Sequence, residues 1–119
     1  VPRPVGVVAM PSRTRPRLVG SLAEGVAGVG RLPLLGSLAY TPHADEHIAH
    51  RSNSAQRLRA LADSFTVPDG LAAALAATPG PVLLVDDYTD SGWTLAVGAR
   101  LLRQAGADQV LPLVLALAG

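Results

Sequence analysis

A chain of 119 residues makes one domain with room for a real hydrophobic core. Its formal net charge is +1 and its basic residues are all Arg, so nothing in the charge balance calls for a nucleic-acid or membrane partner. Cysteine is absent, which excludes disulfides, thiolate metal sites and a cysteine nucleophile. About half the residues are apolar, yet the aromatic ones are only Tyr40, Phe65, Tyr88 and Trp93, so the core must be Leu, Val and Ala. The wealth of Ala, Gly, Val, Pro and Arg matches the codon usage of a GC-rich bacterial genome. Neither a signal peptide nor a spanning apolar stretch is visible, and the expected location is the cytoplasm. The start at Val-Pro-Arg-Pro, without an initiator Met, is compatible with a piece of a longer protein, and equally with tag removal.

In chain order, Val5–Met10 is a compact β-branched run that ends at Pro11 and reads as a buried strand. Leu18, Val19, Leu22, Val26 and Val29 fall at helical spacing over residues 16–29, with Gly30 as the stop. Leu32–Tyr40 reads as a second strand. Pro33 near its start and Gly36 inside it suit a bulge or a sheet edge. Residues 41–53 are polar and aperiodic, the mark of a long loop. Asn53 and Gln56 have the spacing of a capping box, followed by an apolar helix face at Ala55, Leu58, Leu61, Ala62 and Phe65. Asp69 reads as the cap of a short helix over Gly70–Ala77, and Pro79-Gly80-Pro81 as a turn. Val82–Val85 is a short buried strand. A helix follows over about 92–105, with Leu95, Ala99 and Leu102 on its face and Gly106 as its stop. Val110–Ala118, with Pro112 near its start, is the last strand.

Strands alternating with helices predict an α/β fold: a doubly wound parallel sheet of about four strands in three layers. In such sheets ligands bind beyond the carboxyl ends of the strands, near the switch point. Two segments lie at such ends, Asp86-Asp87 and Pro11–Arg15, and they are expected to face one another across a crevice.

The most informative stretch is residues 82–94, Val-Leu-Leu-Val-Asp-Asp-Tyr-Thr-Asp-Ser-Gly-Trp-Thr. Asp86 and Asp87 stand where the apolar strand is expected to end. Asp90, Ser91, Gly92 and Thr94 then lead into a helix. Acids at a strand tip can accept from ribose hydroxyls or hold a divalent cation through water. A helix start with Gly, Ser and Thr offers free N–H groups and a positive dipole end to a phosphate. The combination suits a sugar that carries a phosphate.

This segment resembles the phosphoribosyl-pyrophosphate-binding motif of type I phosphoribosyltransferases: apolar residues, two acids, two spacers, then Asp-Ser-Gly-x-Thr. The likeness extends over nearly the whole chain. It implies that Asp86 and Asp87 contact the ribose hydroxyls, and that Asp90, Ser91, Gly92, Trp93 and Thr94 form the loop around the 5′-phosphate. Asp90 matches the position of a general base in purine-salvage members. Ser12, Arg13, Thr14 and Arg15 resemble the pyrophosphate loop, and residues 41–53 fall where the family has a mobile catalytic loop. Mg²⁺ is implied together with the pyrophosphate, with Asp86 and Asp87 reaching it through ribose or water. Residues Gln56–Phe65 are similar to a segment of ComF-type members. The chain looks most like the phosphoribosyltransferase-like domain at the C-terminus of bacterial RecQ-family DNA helicases. By that likeness residues 1–119 are a C-terminal accessory domain, DNA enters only through a fused helicase region, and a homodimer is compatible. A free-standing ComF-like or purine-salvage transferase is the second reading, and a vestigial fold used as an interaction module the third.

The sequence departs from the family at several points. Trp93 is bulky where many members have a small residue or Lys, no separate base-recognising hood is present, and Lys is missing. Turnover is therefore left open. Other roles also stay open at this level. Ser91 and Thr94 suit plain helix capping as well as anion binding. Arg13 and Arg15 suit a pyrophosphate clamp or solvated loop charges. Trp93 suits stacking on a ring or packing on its own helix. His43, His47 and His50 have ligand-like spacing, but the segment lacks the apolar period of a helix, so a solvated loop competes with a metal site. Arg57, Arg59, Arg100 and Arg103 are expected on exposed helix faces.

Overall fold

The computed structural model describes residues 3–11, 16–41, 63–89 and 93–117. Over these the chain forms β1 (Gly6–Ala9), α1 (Pro16–Gly30), β2 (Leu34–Ser37), β3 (Ala39–Tyr40), β4 (Phe65–Thr66), α2 (Asp69–Ala77), β5 (Val82–Thr89), α3 (Trp93–Gln104) and β6 (Val110–Leu117). Four strands make one sheet in the order β2-β1-β5-β6, and each neighbouring pair is parallel. The fold is α/β. Among the described residues no helix is long and apolar enough to cross a membrane.

β1 shows why the sheet forms. Its four residues, Gly-Val-Val-Ala, are all buried, as a central parallel strand requires. Its side chains alternate between two clusters. Val7 and Ala9 pack with Val19, Ala23 and Ala27 of α1 and with Val85. Val8, with Met10 just beyond the strand, packs with Leu71 and Leu75 of α2, Leu95 and Leu102 of α3, and Val82 and Leu84 of β5. Period two in the strand thus meets period 3.6 in the helices on either side of it. α1 carries no basic residue in its last turn. The Arg3 guanidinium, 27 residues earlier in the chain, donates to the Gly30 carbonyl there (2.9 Å) and compensates that helix end.

The two outer strands are suited to their position. β2 slips register against β1 between Val7 and Val8, and Gly36 in it has φ +148°, a bulge conformation that glycine adopts without strain. In β6 the ladder is set by Val82 N–H donating to the Gln109 carbonyl (2.9 Å). Odd residues of β6 therefore bond β5, and the N–H that Pro112 lacks belongs to the outer edge, where no ladder bond is lost.

Several elements differ from the sequence reading. The segment Leu32–Tyr40 is not one strand: after β2 the chain leaves the sheet, and β3 pairs antiparallel with β4 as a separate two-stranded ribbon. Phe65 belongs to β4 rather than to a helix face, because its backbone is paired to Tyr40. Asp69 is not a cap. Pro68 holds the N-cap position without a side-chain bond, and Asp69 is the first helical residue, with its carboxylate in the first turn. β5 does not stop at Val85 but runs on to Thr89, because β6 keeps pairing with it. The expected capping box at Asn53 and Gln56, most of the loop over 41–53, and Arg57 and Arg59 lie outside the described residues.

Candidate functional site at the β1–β5 switch point

The sheet order defines where a ligand site belongs. From β1 the chain moves to β2 on one side, then returns past β1 to β5 on its other side and continues outward to β6. The direction of winding reverses between β1 and β5, and the carboxyl ends of these strands form the switch point. There the two strands differ in length. β1 pairs with β5 as far as Ala9 and Val85, and Met10 N–H donates to the Val85 carbonyl (2.9 Å). β5 continues against β6 alone, from Asp86 opposite Val114 to Thr89 opposite Leu117. Asp86–Thr89 therefore form a ledge supported by β6 that overhangs the end of β1.

Asp86 is the first residue of this ledge. Strand alternation puts it on the face of Val82 and Leu84, and it is only 6% exposed. Among the described residues it is the one buried carboxylate, and Ser64 is the other buried polar side chain. A carboxylate this deep costs several kcal/mol unless it is hydrogen-bonded or paired. Asp86 does engage a polar or electrostatic partner. Apolar packing therefore does not account for an acid at this position.

Two helices start at the same edge of the sheet. In a parallel β-α-β unit the helix runs back against the strands, so α1 and α3 begin where β1 and β5 end. Residues 90–92 alone connect β5 to α3. α1 opens with Pro16, a residue pre-shaped for a first helical turn. Neither α1 nor α3 carries an acid in its first turn, whereas α2 has Asp69 there. Within the described residues of α1 and α3, then, no first-turn acid offsets the positive helix end. α1 packs on β1 and β5, and α3 on β5 and β6.

The sequence-predicted residues distribute as follows. Asp86 and Asp87 are both in β5, inside the strand rather than at its tip as expected, because of the continued pairing with β6. The side chain of Asp87 is outside the described set. Trp93 is the first residue of α3. Thr94 follows it, half-buried in the first turn, as a residue at a helix start should be. Asp90, Ser91 and Gly92, like Ser12, Arg13, Thr14 and Arg15, lie outside the described residues, as do His43, His47 and His50. Arg100 and Arg103 are exposed on α3, as their spacing predicts. Among the described residues no three His, Cys, Asp or Glu side chains converge on a metal position.

Sequence reasoning missed Tyr40. Its hydroxyl donates to the carbonyl of Pro11 (3.2 Å), 29 residues away, at the end of β1. Its ring lies against Phe65, with centroids 5.2 Å apart. The only available signal was the scarcity of aromatic residues in this chain, which gives no address. No protein-family model matches the chain, and no match to a curated protein was found.

Proposed function

We propose that this chain is a type I phosphoribosyltransferase-like domain, doubly wound in three layers. In this reading it binds phosphoribosyl pyrophosphate, or a nucleotide through its 5′-phosphate, at the β1–β5 switch point. The observation that carries the reading is a coincidence of place. The strand bearing Asp86 and Asp87 lies beside β1 at the winding reversal, and within three residues it hands over to a helix whose first turn has no acid. A ribose hydroxyl suits Asp86, since a hydroxyl donor adds a hydrogen bond to a buried acid without bringing in a second charge. A 5′-phosphate suits the start of α3 and its Thr94. The pyrophosphate falls to the β1 side, toward the start of α1, with Ser12–Arg15 as its candidate partners.

The donor set is compatible with Mg²⁺ of a particular kind. Asp86 and Asp87 supply hard oxygen donors, and the described residues form no protein cage. Mg²⁺ commonly keeps several waters and takes one or two carboxylates plus substrate phosphate oxygens. When bound it would offset the charge of the pyrophosphate. Asp86 and Asp87 would hold it indirectly while fixing the ribose. The domain serves, in this reading, as the accessory part of a RecQ-like ATP-dependent helicase, and the open reading frame of its gene decides that point.

Calorimetry of the purified chain with phosphoribosyl pyrophosphate and MgCl₂ tests the pocket. Heat of binding is expected, and Asp86→Asn or Asp87→Asn should weaken it about tenfold or more, the size of a charge-assisted hydrogen bond. No binding by the wild type, or equal affinity in both variants, overturns the proposal. Release of pyrophosphate that depends on an added purine or pyrimidine base would identify an active transferase rather than a binding domain.

A further inference from the structure

The two faces of the sheet are unequally covered. On one face α2 and α3 pack over Val8, Val82 and Leu84, and Val110 and Val114 of β6 join that cluster. On the other face the described residues supply one helix, α1, which packs on β1 and β5. Leu111 and Leu113 lie beside Leu83 and Val85 in the ladder and so share the α1 face. Leu111 is half-buried and Leu113 is 38% exposed. Among the described residues, the helix position over β6 on this face is open. α1 borders the opening with apolar side chains. Leu18, Leu22, Val26 and Val29 fall within one sector of about 80° around the helix. The right-handed β1-α1-β2 crossover turns that sector toward β5 and β6. Leu22 and Val26 are half-buried there, in the cluster that also takes Leu83, while Leu18 is 38% and Val29 91% exposed. Arg17 and Glu24, the charged residues of α1, fall on the opposite flank, and the sequence of β6 has no charged residue.

We propose that this groove is a homodimer interface, filled by α1 of a second copy. Each copy has one helix on this face and one helix position open beside it. A half-turn about an axis parallel to the strands places each α1 in the other copy's opening, and the contact closes on itself as a two-fold interface must. The side of α1 with Ser21, Gly25 and Gly28 then rests on Leu111 and Leu113 of the second copy. In the single chain a Cβ at either glycine meets no atom of the described residues within 4 Å, the helix's own nearby backbone aside, so nothing there keeps a neighbour at a distance. The size is sufficient. The 15 residues of α1 make a cylinder ~22 Å long and ~10 Å across, whose free half, with the groove beside it, offers roughly 700 Å² per copy. The pair would bury roughly 1,400 Å², within the range of stable complexes. At dilutions where the copies separate, that side of α1 is bare. None of this depends on the ligand reading.

Sedimentation equilibrium of the purified chain at ~1–100 µM tests the proposal. The expected species has twice the 12.2 kDa mass of the chain. Val29→Glu and Gly25→Arg each put a charge into the contact and should weaken it about tenfold or more. Both sites are open in the single copy, so the melting temperature of dilute protein should not move. The chain has no cysteine, so one introduced thiol reports its own surroundings. The half-turn makes the two α1 helices parallel and sets each residue of the facing flank near its counterpart. Val29→Cys should therefore form a disulfide dimer under mild copper-catalysed air oxidation, and Glu24→Cys, on the far flank, should not. A wild-type monomer at ~100 µM overturns the proposal and leaves the groove to a helix of another protein. A dimer that both charged variants leave intact, or equal cross-linking at the two cysteines, overturns it as well.

Discussion

Glycine has opposite meanings in the two longest helices. In α1, a Cβ added at Gly20, Gly25 or Gly28 would meet no atom of the described residues within 4 Å, the helix's own nearby backbone aside. In α3, a Cβ at Gly98 would stand 2.7 Å from Met10 Sδ and 3.2 Å from both Leu38 Cδ1 and Leu84 Cδ2. The clusters beneath the helices explain the contrast. α1 meets the sheet through a stripe of small side chains, Val19, Ala23 and Ala27. Gly20, Gly25 and Gly28 lie off that stripe, unlike Gly30 at the helix end, where an added Cβ would stand 3.3 Å from Leu32 Cδ1. α3 descends on large residues, and only a bare backbone at Gly98 lets it come so close. In a glycine-rich chain the residue type alone does not say which glycine matters, and the neighbour across the interface does.

The contrast can be broken from several sides. The largest effect is expected from Leu84→Ala, which empties a fully buried position under α3 and should cost ~2–5 kcal/mol in urea unfolding. Gly98→Ala should cost ~1–3 kcal/mol by overpacking against buried Met10, Leu38 and Leu84. Combined, the two should cost less than their sum, because the new methyl points at the space that Leu84 leaves. Strict additivity would show that Gly98 does not set the spacing of α3. The smallest effects have the opposite sign. Gly20→Ala, Gly25→Ala and Gly28→Ala should each stabilise by ~0.5–1 kcal/mol, since each limits the unfolded chain and meets nothing in the folded one. Destabilisation by any of these three would mean that the outer side of α1 is covered.

Much of this architecture was legible beforehand. α1, α3, β1 and β6 appear within about two residues of where their apolar spacing puts them, because helix and strand periods are local properties of the chain. The extent of β5 was not legible. Asp86-Asp87 ends the apolar run and disfavours a strand on propensity, and the strand continues through them because Val114–Leu117 of β6 supply the ladder. The β3–β4 ribbon was missed for a similar reason, since two-residue strands have no period to detect. For the candidate site, the motif residues Asp86 and Thr94 could be named from sequence. The burial of Asp86 and the Tyr40–Pro11 bond could not.

The amino-acid order by itself determined the alternation of strand and helix, the apolar faces, and the acids followed by a Ser/Gly/Thr helix start. Those follow from spacing within a few residues. Tertiary structure alone decided that β5 crosses to the far side of β1, that the ledge of Asp86–Thr89 outruns its neighbour, and that a tyrosine from outside the main sheet holds the end of β1. These depend on hydrogen bonds between residues almost thirty or more apart in the chain, and a bond of that reach leaves no mark on the local pattern of either partner.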